Sequence, residues 1–175
     1  MTIALVLLSL VLGPKVVRAQ GPNSAMLSPD RTFLAMTVHG DADCQYLLVA
    51  KVDPKRFDNP TLLELRKAAE RHSSGKGPKP PATQLDRMDV NSFVWIPQYP
   101  HTLVYGESAI YGDGVVALWH GGTKRRVIDH PKNDEAVIML LRYTPKDHRL
   151  LYEISTPRRN PNQQWRKRTR SVKLS

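Results

Sequence analysis

Short apolar stretches recur along the chain, and clusters of glycine, proline, asparagine and aspartate separate them. Runs of this length, rich in β-branched and aromatic residues and bounded by turn residues, are typical of antiparallel strands. A parallel sheet would need helices between its strands. We therefore expect a mainly β protein. The predicted strands are Thr32–Val38, Tyr46–Val52, Ser92–Ile96, Thr102–Tyr105, Val115–Trp119, Lys124–Ile128, Val137–Tyr143 and Arg149–Ser155.

Helical periodicity occurs in one segment of the chain. Thr61–His72 carries Leu62 and Leu65 along one side, and Pro60 stands where the first turn of a helix tolerates proline. A polar stretch rich in glycine and proline follows, which is typical of a solvated loop. The pattern predicts a short helix and a loop, residues 58–82, inserted into the β domain.

The N-terminus has the pattern of a leader. The apolar run from Ile3 to Gly13 is shorter than the roughly 20 residues that span a bilayer. Val17-Arg18-Ala19 resembles the small-x-small site that precedes cleavage. We expect residues 1–19 to be a cleavable signal peptide and the mature chain to be periplasmic or secreted, without a membrane span. The alternatives are a short uncleaved anchor, a wrongly chosen start codon, and a buried strand or helix of an intracellular protein.

Three segments repeat one pattern around a proline. In each, a predicted strand ends at a proline turn, where pairing stops and the chain reverses. A new strand then opens with a leucine five or six residues after the proline. The proline and leucine pairs are Pro29 and Leu34, Pro97 and Leu103, and Pro145 and Leu150.

This repeat resembles the blade pattern W-S-P-D-G-x-x-L-A-Y of TolB-type, WD40-like propellers. The segment 117–128 resembles the second half of such a blade, and the resemblance covers about residues 26–155. It implies antiparallel β-meanders of an incomplete propeller, because propellers usually close with four to eight blades. The matching residues are Ser28, Pro29, Asp30, Leu34, Ala35, Trp95, Pro97, Tyr105, Pro145, Asp147 and Tyr152.

The net charge of +10 is concentrated near the C-terminus. The residues after Pro157 include seven cations and no acid, whereas residues 20–156 are close to neutral. We expect a basic tail, residues 157–175, that is either a solvated, disordered terminus or an edge strand with charged guards; the alternative is a tail that contacts an acidic surface. The candidate partner-binding residues are Arg158, Arg159, Trp165, Arg166, Lys167, Arg168, Arg170 and Lys173.

No catalytic or metal motif is present in the sequence. The six histidines (His39, His72, His101, His120, His130 and His148) fit no ligand spacing such as H-E-x-x-H. The group from His39 to Asp43 is typical of a turn, with a weak cation site as the alternative. No serine lies in a G-x-S-x-G motif, and Cys44 is expected to be a small buried hydrophobe. We expect no catalytic residues, no metal and no cofactor.

These features together indicate an exported, non-enzymatic binding module built of propeller-like repeats. Its expected partner is a protein or a second copy bound through exposed sheet edges. Nucleic acid is disfavoured, because a groove for a duplex would spread positive charge over the fold. Two alternatives stay open: an enzyme subunit of the hydrolase-associated propeller kind whose site another chain completes, and a nucleic-acid-binding protein that uses the basic tail.

Overall fold

A computed structural model describes residues 16–21, 24–39, 45–53, 55, 59–73, 75–78, 83–84, 89–108, 114–121, 123–131, 136–156 and 164–174. The protein is mainly β. Its described strands form three antiparallel sheets of four strands each, and one α-helix is present in the described ranges. The prediction of a mainly β chain with one inserted helix is confirmed.

The first sheet has the strand order β2-β3-β4-β5. Its helix α1 lies between β4 and β5 in the chain, and β5 then returns to pair with β4. The predicted insertion therefore interrupts a single sheet. The elements are β2 (Ala25–Leu27), β3 (Phe33–His39), β4 (Gln45–Lys51), α1 (Asn59–Ser73) and β5 (Thr83–Gln84).

The second sheet has the order β6-β7-β8-β9, and the third has the order β1-β10-β11-β12. The third sheet joins the first of the described strands to the last three of them. The strands are β6 (Asp89–Trp95), β7 (Thr102–Ser108), β8 (Val115–His120), β9 (Thr123–Asp129), β1 (Val17–Arg18), β10 (Val137–Thr144), β11 (Arg149–Thr156) and β12 (Arg166–Lys173).

The second sheet lies between the other two and is buried on both faces. Successive side chains of a strand point to opposite faces, so Leu103 and Tyr105 of β7 pack toward the first sheet while Val104 packs toward the third. This two-sided burial explains why β6, β7 and β8 are apolar along several consecutive residues. Leu62 and Leu65 of α1 cover the remaining face of the first sheet.

Two glycines allow the second and third sheets to approach closely. A Cβ atom added at Gly114 would lie 2.4 Å from the carbonyl oxygen of Ala136. One added at Gly106 would lie 3.0 Å from Ile138. A Cβ atom at either position would press against the backbone of residues 136–138. The missing side chain therefore allows the backbones of the two sheets to approach each other.

Two buried serines satisfy backbone groups of β10 at this contact. The N–H of Ile138 donates to Ser108 Oγ at 3.0 Å, and the N–H of Leu140 donates to Ser92 Oγ at 2.6 Å. A buried N–H without an acceptor costs free energy. These hydroxyls accept the hydrogen bonds that the carbonyl groups of a neighbouring strand would otherwise accept. The third sheet is thus joined to the second by hydrogen bonds as well as by apolar packing.

The three repeated prolines all lie in turns between neighbouring antiparallel strands. Pro29 lies between β2 and β3, Pro97 between β6 and β7, and Pro145 between β10 and β11. Arg31 follows in the first turn at the position where the blade pattern has glycine, and its φ is 62°. His148 in the third turn has a φ of 51°. Both turns therefore contain a left-handed residue that is not glycine.

The segment before β2 connects the second and third sheets. Val17 pairs with Tyr143 of β10, and the N–H of Ala19 donates to the carbonyl of Leu141 at 3.1 Å. Gln20 pairs with Phe93 of β6 through two backbone hydrogen bonds of 2.7 and 3.0 Å. The predicted apolar leader run lies outside the described residues, and the signal peptide stays a prediction.

Candidate functional site

The most strongly charged element of the described structure is β12. Its sequence, RKRTRSVK, contains five cations and no carboxylate, and seven of its eight residues are exposed. β12 pairs with β11 along its full length, from Arg149–Lys173 to Thr156–Arg166. Of the alternatives for the basic tail, the described part is an edge strand of the third sheet.

Backbone pairing with β11 directs the cations of β12 to both faces of the sheet. Residues directly opposite each other in an antiparallel pair share a face. Arg170 lies opposite Tyr152, which is buried against the second sheet, so Arg166, Arg168 and Arg170 share the inner face. Lys167 and Lys173 lie on the outer face. Arginines therefore line one side of the strand and lysines the other.

Two carboxylates of neighbouring strands compensate part of this charge. Lys167 Nζ lies 3.0 Å from Glu153 Oε1 on the outer face. On the inner face an Arg170 guanidinium nitrogen lies 3.6 Å from Asp129 Oδ2. Both cations are exposed, Lys167 more than Arg170, and exposed pairs contribute little to stability. β12 keeps an excess of positive charge after these two contacts.

Asp129 also accepts a hydrogen bond from the hydroxyl of Tyr152. Burial of the phenol raises the pKa of Tyr152 well above its usual range, and the hydrogen bond to Asp129 raises it further. Tyr152 therefore stays a neutral donor that holds Asp129 beneath Arg170. This contact fixes the inner edge of β12 relative to β9 of the second sheet.

The C-terminal end of β12 is anchored in the core. Leu174 is buried and packs in the same cluster as Leu150 and Tyr152, and Val172 packs against that cluster. The N–H of Leu174 donates to the carbonyl of His148 at 2.8 Å. The apolar end holds the charged strand in place.

The other predicted site residues lie near the start of this strand or outside the described ranges. Trp165 directly precedes β12 and is 49% exposed. Arg158 and Arg159 lie outside the described residues. The sequence identified the cations as a group and left an edge strand as one alternative, but Arg166–Lys173 is not among the predicted strands, because charged residues on both faces leave no apolar alternation.

A second polar group lies where the first and second proline turns meet. Asp30 Oδ1 accepts from Ser28 Oγ at 2.6 Å, and its Oδ2 accepts from Thr32 Oγ1 at 2.7 Å. His101 Nε2 lies 2.6 Å from Asp30 Oδ2 and 3.3 Å from Thr32 Oγ1. We call Ser28, Asp30, Thr32 and His101 the turn cluster.

The turn cluster holds a strongly acidic carboxyl group. Burial alone would raise the pKa of Asp30, but hydrogen bonds from Ser28, Thr32 and His101 outweigh it and hold the pKa well below its usual range. The hydroxyl of Ser28 donates to Asp30, and its oxygen accepts the N–H of Phe33 at 3.0 Å. Ser28 therefore does not form the serine–histidine contact of a nucleophile and its base.

Three histidines from different parts of the chain lie in or beside the proline turns. His101 is in the second turn and His148 in the third, and Tyr99 reaches within 6.3 Å of His148 between ring centroids. His120 is at the end of β8, with Nδ1 2.7 Å from Thr102 Oγ1. Among the described residues, no group of three histidine, cysteine or carboxylate side chains could hold a metal ion.

Some of the predicted features fall outside the described residues. They include Gly40 to Cys44, so the weak cation site and the environment of the cysteine stay untested. Within the described ranges, no helix is long and apolar enough to cross a membrane. No family model, curated protein or solved structure matches the chain.

Proposed function

We propose that the protein is a non-enzymatic interaction module built of three propeller-like sheets, and that β12 binds an acidic partner. The propeller-like part is supported by the repeated strand, proline turn and strand unit, which occurs once in each sheet. The stacking of the sheets also supports it, because the second sheet is covered on both faces by its neighbours.

The observation that carries the binding proposal is the exposure of five cations on one edge strand of a folded sheet. A cluster of one sign attracts partners of the opposite sign and speeds their encounter. Because β11 and Leu174 hold the strand in place, its charges are presented in a fixed geometry. A rigid charged surface loses less entropy on binding than a disordered tail does.

The role proposed for the turn cluster is structural. Asp30 accepts hydrogen bonds from its own turn and also contacts His101 of the next turn, so it joins the first and second sheets at one end. The hydroxyls of Ser28 and Thr32 both donate to Asp30.

We also propose that the protein acts outside the cytoplasm, on the basis of the apolar run and Val17-Arg18-Ala19. A chain processed before Gln20 would lose β1 but keep the pairing of Gln20 with Phe93. It would also keep β11 and β12, so the proposed binding surface survives processing.

Charge-neutralised variants test the binding proposal. In the β12 variant, Arg166→Gln, Lys167→Gln and Lys173→Gln remove three exposed cations. In the control, Lys51→Gln, Lys67→Gln and Lys76→Gln remove three exposed cations from β4, from α1 and from the turn after it. Affinity for heparin and for polyglutamate is measured against salt concentration.

We expect the β12 variant to bind both probes about tenfold more weakly at low salt, with a shallower salt dependence. The control should bind like the wild-type protein. Equal weakening in both variants would contradict the proposal, because binding would then follow net charge alone. Unchanged affinity with new self-association of the β12 variant would also contradict it, since the cations would then only guard the edge.

A further inference from the structure

The three sheets share one arrangement of strands around their proline turns. In every sheet, the strand before the turn pairs with the strand after it. The strand after the turn then pairs with the next strand along the chain. By this correspondence β12 occupies the position in the third sheet that β4 and β8 occupy in the first and second. Each of these strands follows, along the chain, the two strands that the proline turn connects.

β4 and β8 each have a further neighbour on their other side. β5 pairs with β4 through Leu48–Gln84 and Val49–Thr83, and β9 pairs with β8 through Ala117–Val127 and adjacent positions. Among the described residues of the third sheet, β12 pairs with β11 alone. Its other side presents backbone N–H and C=O groups at alternate residues, which is the template for an added strand.

The charge of β12 selects the kind of strand that can be added. Two copies paired through β12 would bring cations close to cations, and like charges directly opposite each other in a sheet are unfavourable. A strand with carboxylates would place opposite charges at the same positions. The edge therefore disfavours a second copy of this chain and favours an acidic segment.

We propose that β12 binds an acidic, extended segment of a partner protein as an added strand of the third sheet. This inference rests on the proposed function and specifies its partner. Backbone hydrogen bonds hold the segment along the edge, and side-chain charges select it. The segment carries carboxylates on both faces, because Arg166 and Arg170 lie on the inner face while Lys167 and Lys173 lie on the outer face.

Synthetic peptides test this inference. The probe is a peptide of about ten residues in which Glu-Glu pairs alternate with Val-Thr pairs, so that an extended chain presents glutamate on both faces. Two control peptides have the same sequence with N-methyl groups on alternate backbone nitrogens. One carries them on the odd-numbered residues and the other on the even-numbered residues. N-methylation keeps every charge and removes the donors that a strand needs. Heparin serves as a probe that has charge and no peptide backbone.

We expect the unmodified peptide to bind, and one register of N-methylation to weaken binding at least about tenfold. The β12 variant should bind the peptide and heparin more weakly than the wild-type protein does, because binding of either probe needs the cations. If both N-methylated peptides bind as well as the parent, strand addition is wrong while the acidic-partner proposal stands. If neither peptide nor heparin binds the wild-type protein, both proposals fall. Heparin binding without peptide binding would favour a nucleic acid or another polyanion and overturn the inference.

Discussion

At the residue scale, the turn cluster shows how a short motif joins two sheets. Ser28, Asp30 and Thr32 lie within one turn, and their spacing lets both hydroxyls donate to the carboxylate between them. Local bonds of this kind are typical of turns built on aspartate. The contact between Asp30 and His101 spans 71 residues of sequence, so no local pattern could predict it.

Replacement of Asp30 by alanine should destabilise the protein by about 1–2 kcal/mol at neutral pH, because several donors lose their acceptor at a partly exposed site. The pKa of Asp30 is lower in the folded protein than in the unfolded chain. Its contribution to stability is therefore full above the ordinary carboxyl pKa and declines as the pH falls toward the folded-state pKa.

The measurement is denaturant unfolding of the wild-type protein and of Asp30→Ala between about pH 7 and pH 2. The difference between them should shrink steadily below about pH 4. Asp147→Ala removes an exposed carboxylate from the third proline turn and is the matched control. A destabilisation by Asp30→Ala that stays the same at every pH would show that the charge of Asp30 is unimportant.

The left-handed residues Arg31 and His148 show a limit of motif-based prediction. The blade pattern has glycine in this turn because glycine adopts a positive φ without strain. Arg31 and His148 adopt a positive φ although neither residue is glycine. The sequence therefore predicts the turns correctly from proline, and neighbouring hydrogen bonds hold the backbone in place.

At the element scale, the predicted strands were those with apolar residues on at least one face. All eight are confirmed, and so is the helix. Four further strands are outside that list, although the repeat implies a strand before Pro29, where β2 lies, and an edge strand is one alternative for the basic tail, where β12 lies. β1, β2 and β5 are only two or three residues long, and β12 has charged residues on both faces. Val172 and Leu174, two positions apart after Ser171, are the signal that could have indicated β12.

Truncation after Thr156 tests whether β12 is a structural part of the third sheet. Removal of β12 exposes the edge of β11 and removes Val172 and Leu174 from the core. We expect a loss of about 3 kcal/mol or more in the free energy of unfolding. The β12 variant with three glutamines should stay within about 0.5 kcal/mol of the wild-type protein, because its substitutions are exposed. A truncated chain as stable as the full chain would contradict this role.

At the scale of the whole molecule, three meanders stack through apolar faces, and a helix covers one end of the stack. The sequence predicts the meanders because their strands follow one another in the chain. It does not predict that β1 joins the third sheet, since that pairing links Val17 to Tyr143 across most of the chain. The basic strand lies at the outer edge of this third sheet.

The position of the charge therefore follows from the fold. The cations of β12 are close in sequence, so composition alone indicates a basic region. Their separation into an inner row of arginines and an outer row of lysines depends on the pairing with β11. A tail without this pairing would have the same charge but no fixed faces and no backbone edge.

Hydrogen exchange of backbone amides, with and without polyglutamate, tests the central claim most directly, because it locates the bound surface on the folded chain. We predict slower exchange in residues 164–174 when polyglutamate is added, with α1 and the proline turns unchanged. Protection confined to α1 or to the proline turns, or binding without protection of residues 164–174, would contradict the assignment of β12 as the binding surface.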